Sequence, residues 1–298
     1  MKTLIVITGP TGVGKTKTCL TLAERFNVPI INADSRQMFR EIPIGTAAPT
    51  TDEMRKTCHY FVGNLSITDY YNASMFETDV MRLLKNLYTT YNRIIMSGGS
   101  MMYIDAVCNG IDDIPSVDTS IRHTLHNKYM RYGLTWACAL LKRLDPEYYA
   151  IVDKNNPKRV IHAIEICLST SKTYTSFRTK TKKERPFKII KIGITRERNE
   201  LYARIDRRVD QMIENGLLEE AKAMLPYRDL NALNTVGYKE LFDYFDGLCT
   251  LDEAIFRIKC NTHKYCRKQL TWFKRDNKMH WFNPENIEEI INYIGSFD

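Results

Sequence analysis

Gly9-Pro10-Thr11-Gly12-Val13-Gly14-Lys15-Thr16 has the spacing G-x-x-x-x-G-K-[ST], the pattern of a loop that cradles phosphate. Backbone N–H groups at a helix N-terminus carry partial positive charge and face the anion. Lys15 adds a point charge, and the Thr16 hydroxyl stands where such loops ligate Mg²⁺. Which phosphate is bound stays open, because ATP and other diphosphates satisfy the same pattern. Further along, Asp34 sits in Asn32-Ala33-Asp34-Ser35-Arg36-Gln37. A carboxylate there can hold a metal through water or take a proton from a nucleophile; its plainer role is a helix cap. Ser100 follows two glycines, which let backbone approach a ligand closely. Arg204 and Arg208 are four apart, so on a helix they share a face and can reach a leaving phosphate. The alternative is surface pairing with Asp206 or Asp210.

These groups need a scaffold that brings them to one edge. Residues 3–8, 29–32 and 93–97 are apolar and rich in β-branched side chains, as are residues 187–194, so each reads as a buried strand. Helical spacing occupies 16–26, 75–91 and 201–216, a shorter helix follows at 217–225, and 251–274 and 285–294 are helical again. Strand–loop–helix around the glycine loop predicts an α/β fold, a P-loop NTPase-like parallel sheet flanked by helices. Ligands of such sheets bind beyond the C-terminal strand ends, where Asp34 and Ser100 fall. Residues 111–117 read as a linker. From 118 to about 185 only helical patterns appear (121–132, 136–144, 146–152, 157–168), closed by the charged stretch 180–186 ending in Pro186. The expected organisation is a catalytic core of 1–115 and 186–298 with an all-helical insertion at 116–185.

Net charge is +8 with a pI near 9.0, which suits a polyanionic partner or plain solubility. No apolar run reaches membrane-spanning length and no signal peptide is visible, so a cytoplasmic location is expected. The eight cysteines are scattered without a C-x-x-C pair, as in reduced thiols. Cys260, His263 and Cys266 share a helical face, but the four-ligand zinc spacing is missing. Residues 251–274 are basic and aromatic, with cations expected outward for phosphate contacts.

GPTGVGKT, NADSRQMF and IGTAAPT (residues 44–50), with Gly98-Gly99-Ser100-Met101-Met102-Tyr103, resemble the tRNA dimethylallyltransferase family. So do Asp145-Pro146, residues 156–165, Val236-Gly237-Tyr238-Lys239-Glu240 and residues 262–273, in one order along the chain. The resemblance implies transfer of a dimethylallyl group from dimethylallyl diphosphate to N6 of the adenosine at position 37 of tRNAs reading U-initial codons. It implies that Gly9, Pro10, Thr11, Gly12, Val13, Gly14, Lys15 and Thr16 bind the diphosphate with Mg²⁺ on Thr16. Arg208 would neutralise the leaving group, Asp34 would take the amine proton, and Thr11 and Ser100 would position the reactants. Ser35, Arg36 and Gln37 would read the extruded base and its neighbour. Asn234, Thr235, Val236, Gly237, Tyr238 and Lys239, with Lys264, Arg267 and Lys268, would hold the anticodon loop. Arg122, Lys158, Arg159, Val160, Ile161 and His162, together with the lysines near 180, would grip the stem from the insertion. Ser100 replaces the family's usual Thr, and His162 and His263 replace usual arginines, which would make those contacts pH-sensitive. The family's eukaryotic zinc-finger extension does not follow the core, so a bacterial-type monomer is expected. Three other functions compete: a P-loop kinase, a transferase acting on free adenine nucleotides, and a non-catalytic RNA-binding module.

Overall fold

Thr3–Thr8 forms β1, with all six residues buried. A strand apolar on both faces needs cover on both sides, the mark of a parallel sheet between helices. Described in a computed structural model are residues 1–115, 117–179 and 182–297. After β1 come α1 (Lys15–Phe26), β2 (Ile30–Asn32), α2 (Pro43–Thr46), α3 (Thr51–Lys56) and β3 (His59–Tyr60). α4 (Ala73–Thr90), β4 (Arg93–Gly98) and α5 (Met101–Asn109) complete the first half of the sheet region. Four helices follow: α6 (Thr119–Leu144), α7 (Pro146–Ile151), α8 (Pro157–Thr170) and α9 (Tyr174–Phe177). The chain then returns through β5 (Lys188–Ile194), α10 (Arg198–Glu214), α11 (Leu217–Ala223), α12 (Tyr238–Phe245), α13 (Leu251–Phe273), β6 (His280–Phe282) and α14 (Ile287–Gly295).

Among the described residues six strands lie in one sheet in the order β3-β2-β4-β1-β5-β6, every pair parallel. Alternate residues of β1 face opposite cores. Ile5 and Ile7 join α1, α10 and α14 on one side, while Leu4 and Val6 join α4 and α5 on the other. A third cluster packs α10 to α13 together around Tyr238 and Leu241. Gly98 ends β4 where a side chain has no room, since a Cβ there would lie 2.2 Å from the Ala33 carbonyl. Ser100 N–H donates back to Ala33 O at 3.2 Å, so the turns after β2 and β4 are stitched side by side.

Two compact units emerge: Met1–Asn109 with Glu184–Asp298, and Gly110–Lys183. The linker reading at 111–117 includes Ser116, which lies outside the described residues. Within the smaller unit α6 is broken at Gly133, whose φ of 73° and ψ of −174° leave the helical region. The two helices read from the sequence therefore meet at that glycine. Buried Asp145 caps α7 through Tyr148 N–H at 2.9 Å and also accepts from Thr175 N–H at 2.7 Å. One carboxylate thus ties α7 to α9, and Leu125, Ala137, Leu141, Val160 and Ile164 fill a core of the unit's own.

Candidate active site

The glycine loop turns on Gly9, Gly12 and Gly14, all at positive φ. A Cβ on Gly9 would meet Ile194 O at 2.5 Å, and one on Gly12 would meet the Ile205 side chain at 2.8 Å, so backbone excludes a side chain at Gly9, while a positive φ and a core side chain do so at Gly12. Cations take the loop's carbonyls. Lys15 Nζ donates to Gly9 O and Pro10 O at 2.8 Å, Arg204 Nε to Gly12 O at 2.9 Å, and Arg196 Nε to Val13 O at 3.0 Å. With its carbonyls held that way, and with Thr11 N–H bonded to Gln269 and Val13 N–H to Pro10 O, the loop leaves the N–H groups of Gly12 and Gly14 for the cavity, joined by the uncapped first N–H groups of α1. Arg208 Nη1 donates to Thr11 Oγ1 at 3.3 Å. Burial, reinforced by Arg208, pushes Lys15 down to about 8. Cys19 behind it is pushed up to about 12 by burial, so the lysine faces a neutral thiol. Arg208 is itself drawn below its ordinary value by burial.

Two cavities open on this loop. The first, about 460 Å³, is lined by Gly12, Gly14, Lys15, Thr16, Asn32, Gln37, Ser97–Gly99 and Arg204, Arg207 and Arg208. Four cations against the single carboxylate of Asp34 make it an anion site. The second, about 490 Å³, is lined by Ser35, Arg36, Ser100, Asn234, Thr235, Val236, Gly237 and Lys239. Apolar Ile205, Val209, Met212, Leu217 and Ile258 line it as well, with the carboxylate of Glu240. Thr11, Asp34, Thr46, Arg208 and Tyr265 line both cavities. Asp34 Oδ1 accepts Arg36 N–H at 3.0 Å, an Asx turn that orients the carboxylate and leaves Oδ2 for chemistry. Glu220 fixes the Thr46 side of this wall by accepting from Ile44 N–H at 2.9 Å and Gly45 N–H at 2.8 Å.

Several residues predicted from the sequence stand elsewhere. Tyr238 is fully buried, and its hydroxyl donates to Glu220 Oε1 at 2.5 Å. It braces the Gly45 loop from the core and cannot touch RNA. Val160 is likewise fully buried, because it shares the inward face of α8 with Ala163, Ile164 and Cys167. Lys158 and Arg159 are exposed on the same helix. Ile161 packs against the unit's core, His162 lies 3.5 Å from Glu165 Oε2, and Arg122 lies 3.3 Å from Glu165 Oε1. Ser100 is tied to Ser35: its Oγ accepts Ser35 N–H at 2.7 Å and donates to Ser35 Oγ at 2.9 Å, while the residue lines the second cavity with Thr11. Gln37 donates both amide hydrogens to Thr46 O and Ala47 O, leaving only Oε1 for a base. On α13, Lys264, Arg267 and Lys268 are exposed as expected. His263, expected among the outward cations, instead stacks on Tyr202 at 4.1 Å and sits 2.8 Å from Asp206. Among the described residues no cluster of three metal-binding side chains occurs. Lys180 falls outside them, and Lys183 pairs with Asp113 at 2.9 Å.

The resemblance implies only that the segment 262–269, which includes Tyr265 and Gln269, holds the anticodon loop; the contacts of Gln269 with Thr11 and Gly99 and the part of Arg196 and Arg204 as loop ligands are not legible in the sequence. Gln269 is a buried polar residue on a helix that packs by its apolar positions; a lone amide at an inward position is the one signal the sequence carries.

Fold and site define an α/β enzyme core with one parallel sheet, whose strand ends carry an anion cavity joined to a second cavity across a carboxylate. Residues 37–276 match the IPP transferase family, and the chain belongs to that family. It is 59% identical over 293 residues to tRNA dimethylallyltransferase 1 of Bacteroides fragilis, covering 98% of this chain and 97% of that one. Among solved structures, the full-length tRNA isopentenylpyrophosphate transferase of Bacillus halodurans is 35% identical, with a TM-score of 0.73 over 99% of this chain and 96% of its own. A eukaryotic dimethylallyltransferase acting on tRNA shares the fold at 24% identity, with a TM-score of 0.81 over 97% of this chain and 75% of its own.

Proposed function

We propose that this protein transfers a dimethylallyl group from dimethylallyl diphosphate to N6 of adenosine 37 in tRNAs reading U-initial codons, as a monomer. The observation that carries the reading is the wall of Thr11, Asp34 and Arg208 common to both cavities. The diphosphate occupies the first cavity and the extruded adenine the second, so that donor and acceptor meet at Asp34. The allylic C–O bond breaks with its electron pair going to diphosphate, and the amine nitrogen forms the new N–C bond. Loop N–H groups, Lys15 and Arg208 stabilise the charge as it develops on the leaving group. Asp34 Oδ2 takes the amine proton. Ser35, Arg36, Asn234 and Lys239 hold the base and its neighbours. Exposed Lys264, Arg267 and Lys268, with Lys158 and Arg159 of the helical unit, neutralise RNA phosphates.

Mg²⁺ fits this donor set without a protein-only cage, because such ions are held by one or two side chains together with substrate phosphates. Thr16 would hold it together with substrate phosphate oxygens, and it would offset diphosphate charge. The test mixes protein, Mg²⁺ and radiolabelled dimethylallyl diphosphate with unmodified tRNA, with AMP in a second reaction. A third reaction holds ATP and no prenyl donor. Label entering tRNA is the expected result. Label in AMP alone would assign a free nucleotide as acceptor, and phosphate release from ATP without prenyl transfer would replace the reading with a kinase.

A further inference from the structure

We infer that Gln269 is a positioning residue for this transfer, its side-chain amide setting the glycine loop and the Gly99 turn against each other on either side of Asp34. The inference rests on the reaction proposed above. Gln269 lies on α13 one turn beyond Tyr265 and is only 1% exposed. Thr11 N–H donates to its Oε1 at 2.9 Å, and its Nε2 donates to Gly99 O at 2.9 Å. An amide has one accepting and one donating end, so a single orientation satisfies both loops. An inward helix position is ordinarily filled by Leu or Met, and a buried amide is tolerated only with both ends bonded. Gly99 makes room for it, since a Cβ there would lie 2.5 Å from Gln269 Nε2.

That same Cβ would be 3.7 Å from Asp34 Oδ2, so the amide, the turn and the carboxylate are immediate neighbours. By taking the Thr11 N–H, Gln269 withdraws it from the anion cavity and fixes the backbone from which Thr11 Oγ1 reaches Arg208. Gln269 borders the anion cavity, but each end of its amide bonds a loop of the protein, and it is through Thr11 and Gly99 that it acts.

Two substitutions test this against plain packing. Gln269→Met keeps the volume and removes both hydrogen bonds. It is expected to lower kcat about tenfold to a hundredfold, with KM for donor and tRNA changing by less than about threefold. Gln269→Glu, when ionised, keeps the bond from Thr11 N–H and opposes Gly99 O. When protonated, its carboxyl again accepts at one end and donates at the other. The ratio of its kcat to that of wild type is therefore expected to rise as pH falls. Wild-type kcat in Gln269→Met, or a lower melting temperature with unchanged kcat per folded molecule, would reduce Gln269 to packing and overturn the inference. A Gln269→Glu ratio flat in pH would do the same, and that profile decides alone if the Met variant does not fold. A wild-type protein that transfers no prenyl group at all would overturn the reaction itself, a distinct outcome.

Discussion

Asp34 is the residue on which both cavities converge, and its two oxygens have separate tasks. Oδ1 closes the Asx turn to Arg36, a bond that asparagine preserves. Asp34→Asn should leave the melting temperature unchanged while lowering kcat by about 100- to 10,000-fold, the usual range for a lost general base. Near-wild-type kcat in steady-state assays would remove Asp34 from that role. Lys15 sets a pH dependence. Its folded value falls from 10.5 to about 8 through burial, so between these values the unfolded chain holds more protons than the folded one. Stability contributed by this group therefore rises with pH across that window. A diphosphate beside the ammonium restores its charge, so donor binding between about pH 8 and 10 should take up a proton. Titration calorimetry in buffers of different ionisation enthalpy reads that uptake directly, and Lys15→Met should abolish it. An equal signal in the variant would place the proton elsewhere.

At the scale of elements, helix and strand positions were legible wherever one physical signal dominated. β1, α1 and α4 follow from β-branched runs and 3.6-residue spacing, and Pro146 and Pro157 stand at first helical turns as their fixed φ favours. Short pieces were legible only where an apolar run marked them, as in β2 with its three residues. β3 has two residues and β6 three, and only the neighbouring strand makes either a strand. Gly133 shows how a single residue shapes an element. Its backbone lies in a region open essentially to glycine, and no atom lies within 4 Å of an added Cβ. Gly133→Ala should thus destabilise the helical unit by roughly 1–3 kcal/mol through backbone strain alone. Hydrogen exchange in α6 would show the loosening, and KM for the prenyl donor should be unmoved. Unaltered protection would mean that the kink relaxes at no cost.

For the whole molecule, the excess of cations is the property that bears on partners. A net charge of +8 with Lys264, Arg267, Lys268, Lys158 and Arg159 exposed predicts RNA binding through released counterions. Affinity for an anticodon stem-loop should fall linearly on a log–log plot against salt, losing roughly tenfold or more between about 50 and 200 mM. An affinity independent of salt would rule out phosphate contacts as its source. Among the described residues no helix is long and apolar enough to cross a membrane.

Local order is what the sequence by itself determined. The glycine loop, the strands that end at it, the helical block and the family signature all depend on residues near one another in the chain, where spacing encodes geometry. Tertiary structure alone decided which polar groups face the reaction. Tyr238 and Val160 sit inside signature stretches yet are buried, because one face of each helix must fill a core. Gln269 is 258 residues from Thr11, and only the packing of α13 against the strand ends joins them. Sequence spacing carries no information about a hydrogen bond across that interval, since it forms only when the whole sheet has assembled.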